Sequence, residues 1–154
     1  MDIFNSVYIS SIGIVYLLML SIPNIIWSKH QPTWYNFSYE NKVLVLLERI
    51  GQVLVTAFSV FIINKADSLS IIWLIFSIIC MFLYECYWVR YFKSEKGLND
   101  FYDSFLGVPV PGASLPVIAF ILLGIYHLNI VLIISTIIFG IGHIGIHLQH
   151  SNEK

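Results

Sequence analysis

The chain has 154 residues, of which 58% are hydrophobic and only 11% are charged, and its formal net charge is −1. Soluble domains carry about 25% charged residues, and the apolar residues here fall in runs long enough to cross a bilayer. This composition excludes a soluble domain, and the net charge argues against a nucleic-acid partner. We therefore predict an all-α, polytopic integral membrane protein, surrounded by membrane lipids and built as one transmembrane domain over residues 1–154.

The first apolar run predicts a membrane-spanning helix over residues 5–27. No basic residue precedes this run, so we expect a retained helix rather than a cleaved signal peptide. The polar and aromatic segment that follows contains Pro32, which excludes a regular helix, and the rings of Trp34 and Tyr35. Since Trp and Tyr prefer the level of the lipid headgroups, this segment is expected to lie on the membrane surface.

The second span is predicted over residues 39–64 and carries unusual polar residues in its first half. Glu48, Arg49 and Gln52 lie about two to four turns inside the helix. A charged residue at such a depth costs about 2.5 to 3.5 kcal/mol on insertion scales, so it should face the bundle interior and have a partner there. We therefore expect all three side chains to point toward the other helices.

The third span is predicted over residues 69–92, and the short turn before it makes the second and third spans antiparallel neighbours. Glu85 lies nearly two turns before the end of this span and is expected to point inward. Arg90 lies closer to the end and, with Lys93 and Lys96, is expected to anchor the helix at the headgroups.

The connection after the third span predicts a short interfacial helix over about residues 99–106. Its apolar residues recur with the i, i+3, i+4, i+7 spacing of an amphipathic helix: Leu98, Phe101, Tyr102 and Phe105. A short fourth span is predicted over residues 113–126, although it contains Pro116.

The fifth span is predicted over residues 130–149 and ends in a stripe of histidines. Three of them stand at i, i+4 and i+7: His143, His147 and His150. This spacing places them on one face of the helix, within an arc of about 60°. Gly142 and Gly145 fall on another face, where they would let a neighbouring helix come close.

Five spans place most of the basic residues on one side of the membrane: Lys29, Lys42, Arg90, Lys93, Lys96 and Lys154. The positive-inside rule then predicts a multi-pass protein of the cell membrane with its N-terminus outside and its C-terminus in the cytoplasm. This topology brings the polar halves of the second, third and fifth spans to the cytoplasmic leaflet. The residues predicted to contact a ligand there are Glu48, Arg49, Gln52, Glu85, His143 and, from the surface segment, Trp34.

These residues predict a cytoplasm-facing polar cavity that binds or transports a small amphipathic or lipid-like ligand. Two other functions fit the same pattern. A metal- or haem-dependent membrane enzyme would use His143 and His147 as ligands to zinc, iron or haem. A structural or accessory protein, of the immunity type, would have no ligand, would pair Arg49 with Glu48 or Glu85, and would act on a protein partner or as a homo-oligomer. The pattern leaves open whether the protein is an enzyme.

Overall fold

The computed structural model describes residues 7–31, 35, 40–62 and 71–152. The elements in this part of the chain are, in order, β1 (Tyr8–Ile9), α1 (Ser11–Ser28), α2 (Lys42–Val60), β2 (Phe61–Ile62), α3 (Ile71–Lys93), α4 (Leu98–Tyr102), α5 (Pro111–Tyr126) and α6 (Ile130–Asn152). The helices α1, α2, α3 and α6 are long and apolar enough to cross a membrane, whereas α5 is a shorter apolar helix of 16 residues. The protein is therefore an all-α membrane protein, as its composition predicts.

The small sheet fixes the start of α1 beside the end of α2. The strands β1 and β2 pair antiparallel, with Tyr8 opposite Ile62. Just inside α1, Gly13 lies so close to α2 that a Cβ atom there would come within 1.9 Å of the carbonyl oxygen of Ser59. The second span ends at Val60, before the predicted boundary at residue 64, because the chain leaves the helix to form β2.

The helices α2 and α6 cross at close range because glycines stand at the contact. A Cβ atom on Gly142 would lie 2.3 Å from the backbone nitrogen of Glu48, and one on Gly51 would lie 2.4 Å from the Cα atom of Phe139. Gly145 faces the same helix at a side-chain contact. The predicted packing face of Gly142 and Gly145 is thus confirmed. Close backbone approach of this kind is a main source of helix association in membranes, where lipid tails are as apolar as leucine.

The short helix α5 is the most enclosed helix of the bundle. It packs between α3 and α6, and ten of its 16 residues are buried. The Ser77 hydroxyl of α3 donates a hydrogen bond to the Ala119 carbonyl oxygen at 2.7 Å and also contacts the Tyr16 hydroxyl of α1 at 3.0 Å. The helix begins at Pro111, earlier than the predicted residue 113, because a proline at the first helical position lacks only an N–H that would be unpaired in any case.

The helix in the connection between α3 and α5 is shorter than predicted. It ends at Tyr102, after which Phe105 and Val108 exchange two backbone hydrogen bonds of 3.1 and 3.0 Å. Between them, Leu106 and Gly107 have φ angles of 52° and 81°, as in the two-residue turns of β-hairpins. The predicted helix end at residue 106 is therefore wrong, because a tight turn occupies that position.

Arg90 holds this connection in place. Its guanidinium donates hydrogen bonds of 3.2 to 3.3 Å to the carbonyl oxygens of Asp100, Asp103 and Ser104. It also lies 5.3 Å from the centre of the Phe105 ring. The last carbonyl groups of a helix have no intrahelical donor, so the guanidinium supplies one. Arg90 thus has a structural role in addition to the predicted headgroup contact.

The helices α1, α2, α3, α5 and α6 alternate in direction along the chain, which gives the bundle two distinct ends. The histidine end holds the last turns of α1, α3 and α6, the first turns of α2 and α5, and the whole of α4. There the backbone N–H of Asn41 donates to the side-chain oxygen of Gln149 at 3.4 Å. At the opposite end, the Asn129 side chain donates to the Phe58 carbonyl oxygen at 3.1 Å. Because α6 continues to Asn152, past the predicted end at residue 149, the whole histidine stripe is helical.

Candidate functional site

A cavity of about 430 Å³ lies between α1, α2 and α6 near the histidine end. The residues that line it are Leu20, Ser21, Asn24, Ile25, Ser28, Glu48, Gln52, Phe139 and His143. The helices α1 and α2 touch at Gly13 and Ser59, at the opposite end, and the cavity fills the space between them toward the histidine end. Ser21, Asn24 and Gln52 are exposed, so the cavity is open to the surroundings of the bundle rather than enclosed.

A hydrogen-bonded pair of polar side chains forms one wall of this cavity. The Nδ1 atom of His143 lies 2.5 Å from Oε1 of Glu48, and the two side chains are 20% and 27% exposed. The imidazole also stacks on Phe139, with 4.8 Å between ring centres and 16° between ring planes. A carboxylate can only accept hydrogen bonds, so Nδ1 carries the proton that it donates. The pair therefore joins α2 to α6 by a hydrogen bond, with part of its surface turned to the cavity.

The opposite wall is the polar side of α1. The Asn24 amide nitrogen donates to the Leu20 carbonyl oxygen at 2.7 Å and to the Tyr84 hydroxyl at 2.8 Å. Tyr84 is fully buried in α3, so it fixes the orientation of this amide. One turn further along, the Ser28 hydroxyl donates to the Ile25 carbonyl oxygen at 2.9 Å. The amide hydrogens of Asn24 and the hydroxyl hydrogen of Ser28 are thus engaged within the protein.

Beyond His143, the histidine stripe is covered by aromatic rings. The ring centre of His147 lies 4.5 Å from that of His143, and His147 stacks on Phe101 of α4 at 5.8 Å. Phe101 in turn stacks on Trp27 of α1, with 4.9 Å between ring centres and 15° between ring planes. The helix α4 therefore covers His147.

His150 is buried at the end of the stripe, where it joins α4 to α6. Its Nδ1 atom lies 3.2 Å from the Tyr102 hydroxyl and its Nε2 atom 3.4 Å from Oε1 of Glu40. The Tyr35 ring lies 6.4 Å from the imidazole, and burial raises the pKa of Tyr35 to about 12, so its hydroxyl keeps its proton at neutral pH. Neither His150 nor Glu40 is among the predicted site residues. The i, i+7 spacing from His143 is the sequence signal that places His150 on the same face.

The structure separates the predicted site residues into two groups. Glu48, Gln52 and His143 line the cavity. Arg49 is exposed on the outer side of α2, because it follows Glu48 by one residue and is therefore turned by about 100° around the helix. The prediction that Arg49 faces the interior is wrong, since a long arginine side chain can carry its charge to the headgroups instead. Trp34 lies outside the described residues.

Glu85 also lies away from the cavity. It follows Tyr84, whose hydroxyl faces α1, by one residue, so its side chain points in a different direction. The side chain is half-buried, and its Oε1 atom makes no hydrogen bond to any described residue. The predicted place of Glu85 in one ligand cavity with Glu48 is therefore not observed. Within the described ranges, Arg49 forms no ion pair with either carboxylate.

The described residues contain no group of three or more His, Cys, Asp or Glu side chains placed to hold a metal ion. The Nδ1 atom of His143 is already engaged by Glu48. For haem, a second axial histidine would have to face His143. His127 lies at the opposite end of the bundle, and the ring of His30 contacts a carbonyl oxygen of its own helix. The geometry gives no support to the metal- or haem-dependent alternative.

Comparison of the chain with protein-family models, with curated proteins and with solved structures gives no match in any of the three. The fold by itself defines the class, a small helical membrane protein with four helices that are long and apolar enough to cross a membrane.

Proposed function

We propose that the protein binds or transports a small amphipathic or lipid-like molecule whose head group enters the cavity between α1, α2 and α6. The observation that carries this proposal is the position of the Glu48–His143 pair on an open cavity wall. Ionisable residues inside membrane spans are costly, and where they face a cavity they mark substrate, ion or proton pathways. A pair that only joined α2 to α6 would be expected to be enclosed between those helices.

The shape of the cavity also favours an amphipathic ligand. Its volume of about 430 Å³ falls within the range of about 300 to 1,000 Å³ that is usual for small-molecule sites. Leu20, Ile25 and Phe139 supply apolar surface beside the polar groups. The side opening between α1 and α2 would allow a hydrocarbon chain to extend into the lipid while the head group stays beside Glu48.

The arrangement in the membrane is part of the same proposal. We infer five crossings, with α5 as the short fourth one and α4 lying at the interface. The 16 residues of α5 rise about 24 Å, less than a hydrocarbon core of about 30 Å, so the extended segment before it would complete the crossing. Basic residues of the described part gather at the histidine end: Lys29, Lys42, Arg90, Lys93 and Lys96. The positive-inside rule then favours a cytoplasmic histidine end, an external N-terminus and a cavity near the inner leaflet of the cell membrane.

Cysteine labelling in intact cells tests this orientation, after Cys80 and Cys86 are replaced by alanine. The variant Asp67→Cys, in the predicted outer turn and outside the described residues, should react with a membrane-impermeant maleimide. The variant Glu95→Cys, at the histidine end, should react only after the cells are permeabilised. The reverse pattern would contradict the proposed orientation.

Ligand binding is tested by purifying the full-length protein in a mild detergent and identifying co-purifying small molecules by mass spectrometry. We expect an amphipathic molecule in near-stoichiometric amount with the wild type and its loss from Ser21→Trp, whose indole would fill the cavity. The matched control is Ile22→Trp, at the next position of α1, which is exposed away from the cavity and should retain the molecule. A folded wild type that carries no amphiphile and takes up none would contradict the proposal and favour the accessory-protein alternative.

A further inference from the structure

We propose that the cavity selects molecules whose head group is a primary ammonium cation and discriminates against anionic head groups. This inference rests on the proposed function and adds the chemical class of the ligand. The observations that support it are the hydrogen bonds that fix polar atoms on the two cavity walls. Once their internal hydrogen bonds are counted, the atoms that these groups leave for a ligand are acceptors.

The wall formed by α1 offers oxygen atoms. The amide nitrogen of Asn24 has two hydrogens, and both are used, one by the Leu20 carbonyl oxygen and one by the Tyr84 hydroxyl. Only the Oδ1 atom of Asn24 is left for a ligand, and it can only accept. Ser28 gives its single hydrogen to the Ile25 carbonyl oxygen, so its hydroxyl oxygen is likewise left with lone pairs.

The opposite wall offers acceptors as well. Glu48 uses Oε1 for the hydrogen bond from His143, and its second carboxylate oxygen has no hydrogen-bond partner among the described residues. In a neutral imidazole whose proton is on Nδ1, the Nε2 atom has a lone pair and accepts hydrogen bonds. Two acceptor atoms therefore stand on this wall, one of them carrying negative charge.

The charge balance of the cavity points in the same direction. Glu48 is the one charged residue among the described residues that line it. Arg49 is exposed on the outer side of α2, and Lys29 follows the end of α1; neither lines the cavity. Ser21 and Gln52 can donate or accept and so adapt to either kind of head group. An anionic head group would thus meet a carboxylate with no cation beside it, in a membrane setting where such repulsion is poorly screened.

A primary ammonium group suits the fixed acceptors in charge, and three of these four acceptors are enough for its N–H groups. It has three N–H donors, as in lysine, and the walls offer the second oxygen of Glu48, Nε2 of His143 and Oδ1 of Asn24. Charge-assisted hydrogen bonds are roughly twice as strong as neutral ones. A trimethylammonium group keeps the charge but has no donor, and an alcohol keeps one donor without the charge. We therefore expect affinity to decrease from amine through trimethylammonium and alcohol to carboxylate.

The test uses the full-length protein in nanodiscs of phosphatidylcholine, which carries no net charge. The probes are decylamine, decyltrimethylammonium, decanol and decanoate, which share one chain length. Titration calorimetry measures their binding at neutral pH, and parallel titration of Ser21→Trp subtracts partition into lipid. We expect decylamine to bind at least about tenfold more tightly than decanoate, and Glu48→Gln to weaken decylamine binding by about tenfold. The matched control Glu95→Gln removes an exposed carboxylate outside the cavity and should change nothing.

A second variant covers the case in which Glu48→Gln does not fold. Asn24→Leu removes Oδ1 from the exposed side of α1 and should reduce the preference for decylamine over decyltrimethylammonium several-fold. Equal binding of all probes, lost in Ser21→Trp, would overturn the ammonium selectivity and leave the proposed function standing. No binding of any probe beyond lipid partition would contradict both. If every folded variant at Glu48 and Asn24 bound decylamine as tightly as the wild type, the amine would bind elsewhere. That result would also overturn the inference.

Discussion

His143 of α6 is hydrogen-bonded to Glu48 of α2 at 2.5 Å, and the residue before it, Gly142, packs on the backbone of the same glutamate. A Cβ atom on Gly142 would lie only 2.3 Å from the Glu48 nitrogen. The absence of a side chain at this position therefore sets the separation at which the imidazole reaches the carboxylate. The polar wall of the cavity depends on helix packing as much as on the polar residues themselves.

The substitution Gly142→Ala should therefore push α2 away from α6. The atoms that stand in the way are the backbone nitrogen of Glu48 and the carbonyl oxygen of Leu44, which cannot rotate aside. We expect a loss of about 1 to 3 kcal/mol in the free energy of unfolding, measured in mixed micelles of mild detergent and SDS. In the control Gly145→Ala the nearest atoms are Leu44 side-chain carbons, from 3.0 Å, so the loss should be smaller. Equal losses in the two variants would contradict this account.

The energy of the Glu48–His143 hydrogen bond can be isolated by a double-mutant cycle. Unfolding of Glu48→Gln, His143→Leu and the double variant should give a coupling energy of about 0.5 to 2 kcal/mol, the range found for polar contacts between membrane helices. The same cycle for Glu48 and His127, which lie at opposite ends of the bundle, should give a coupling near zero. If both cycles gave the same value, the contact would not be a specific one.

The meeting of Glu48 with His143 could be predicted because it follows from hydrophobic length and chain direction. Apolar runs fix the spans, and short connections make them alternate, so the start of the second span and the end of the last must lie at one level. The helical period of about 100° per residue then separates the histidine face of the last span from its glycine face. The common level depends on the order of the spans and the two faces on local sequence, and the packing of Gly142 against α2 agrees with both.

The positions of Arg49, Glu85 and His150 could not be predicted, because each depends on more than depth in the membrane. The free-energy cost of insertion is similar for different charged residues at the same depth. A long arginine side chain, however, can reach the headgroups from a lipid-facing position. Depth also leaves the rotation of a helix undetermined, and α3 is apolar on nearly all sides, so nothing local showed which way Glu85 points. His150 is buried by α4, whose path is set by contacts distant in sequence, such as those of Arg90.

The hydrogen bonds from Arg90 to the carbonyl oxygens of Asp100, Asp103 and Ser104 lead to a prediction for α4. Arg90→Lys keeps the charge but replaces a fork of donors by one ammonium group, which cannot reach three carbonyl oxygens in the same geometry. We expect a loss of about 1 to 2 kcal/mol in unfolding free energy, together with faster hydrogen exchange over residues 98–105. The control Lys93→Ala, at an exposed position in the last turn of α3, should leave exchange there unchanged. Unchanged protection in Arg90→Lys would show that other contacts hold α4.

At the opposite end of the bundle, His127 is buried where α5 ends. His127 is 8% exposed, and its Nε2 atom has no hydrogen-bond partner among the described residues. Burial lowers the pKa of His127 below its ordinary value, because the charged imidazolium would lose its hydration without gaining an acceptor. The folded protein therefore binds a proton at His127 less readily than the unfolded chain does.

This difference makes His127 a source of acid sensitivity. Above a pH of about 6.5 the ring is neutral in both states and contributes no pH dependence, whereas below it the unfolded chain takes up a proton that the folded state resists. Stability should thus fall on acidification, by up to about 1.4 kcal/mol per pH unit from this residue. The neutral variant His127→Gln should gain stability relative to the wild type between pH 7.5 and 5.5, as measured by detergent unfolding at each pH. The control His30→Gln, at an exposed position, should show no such gain in stability. An equal gain in both variants would show that burial of His127 is not the cause.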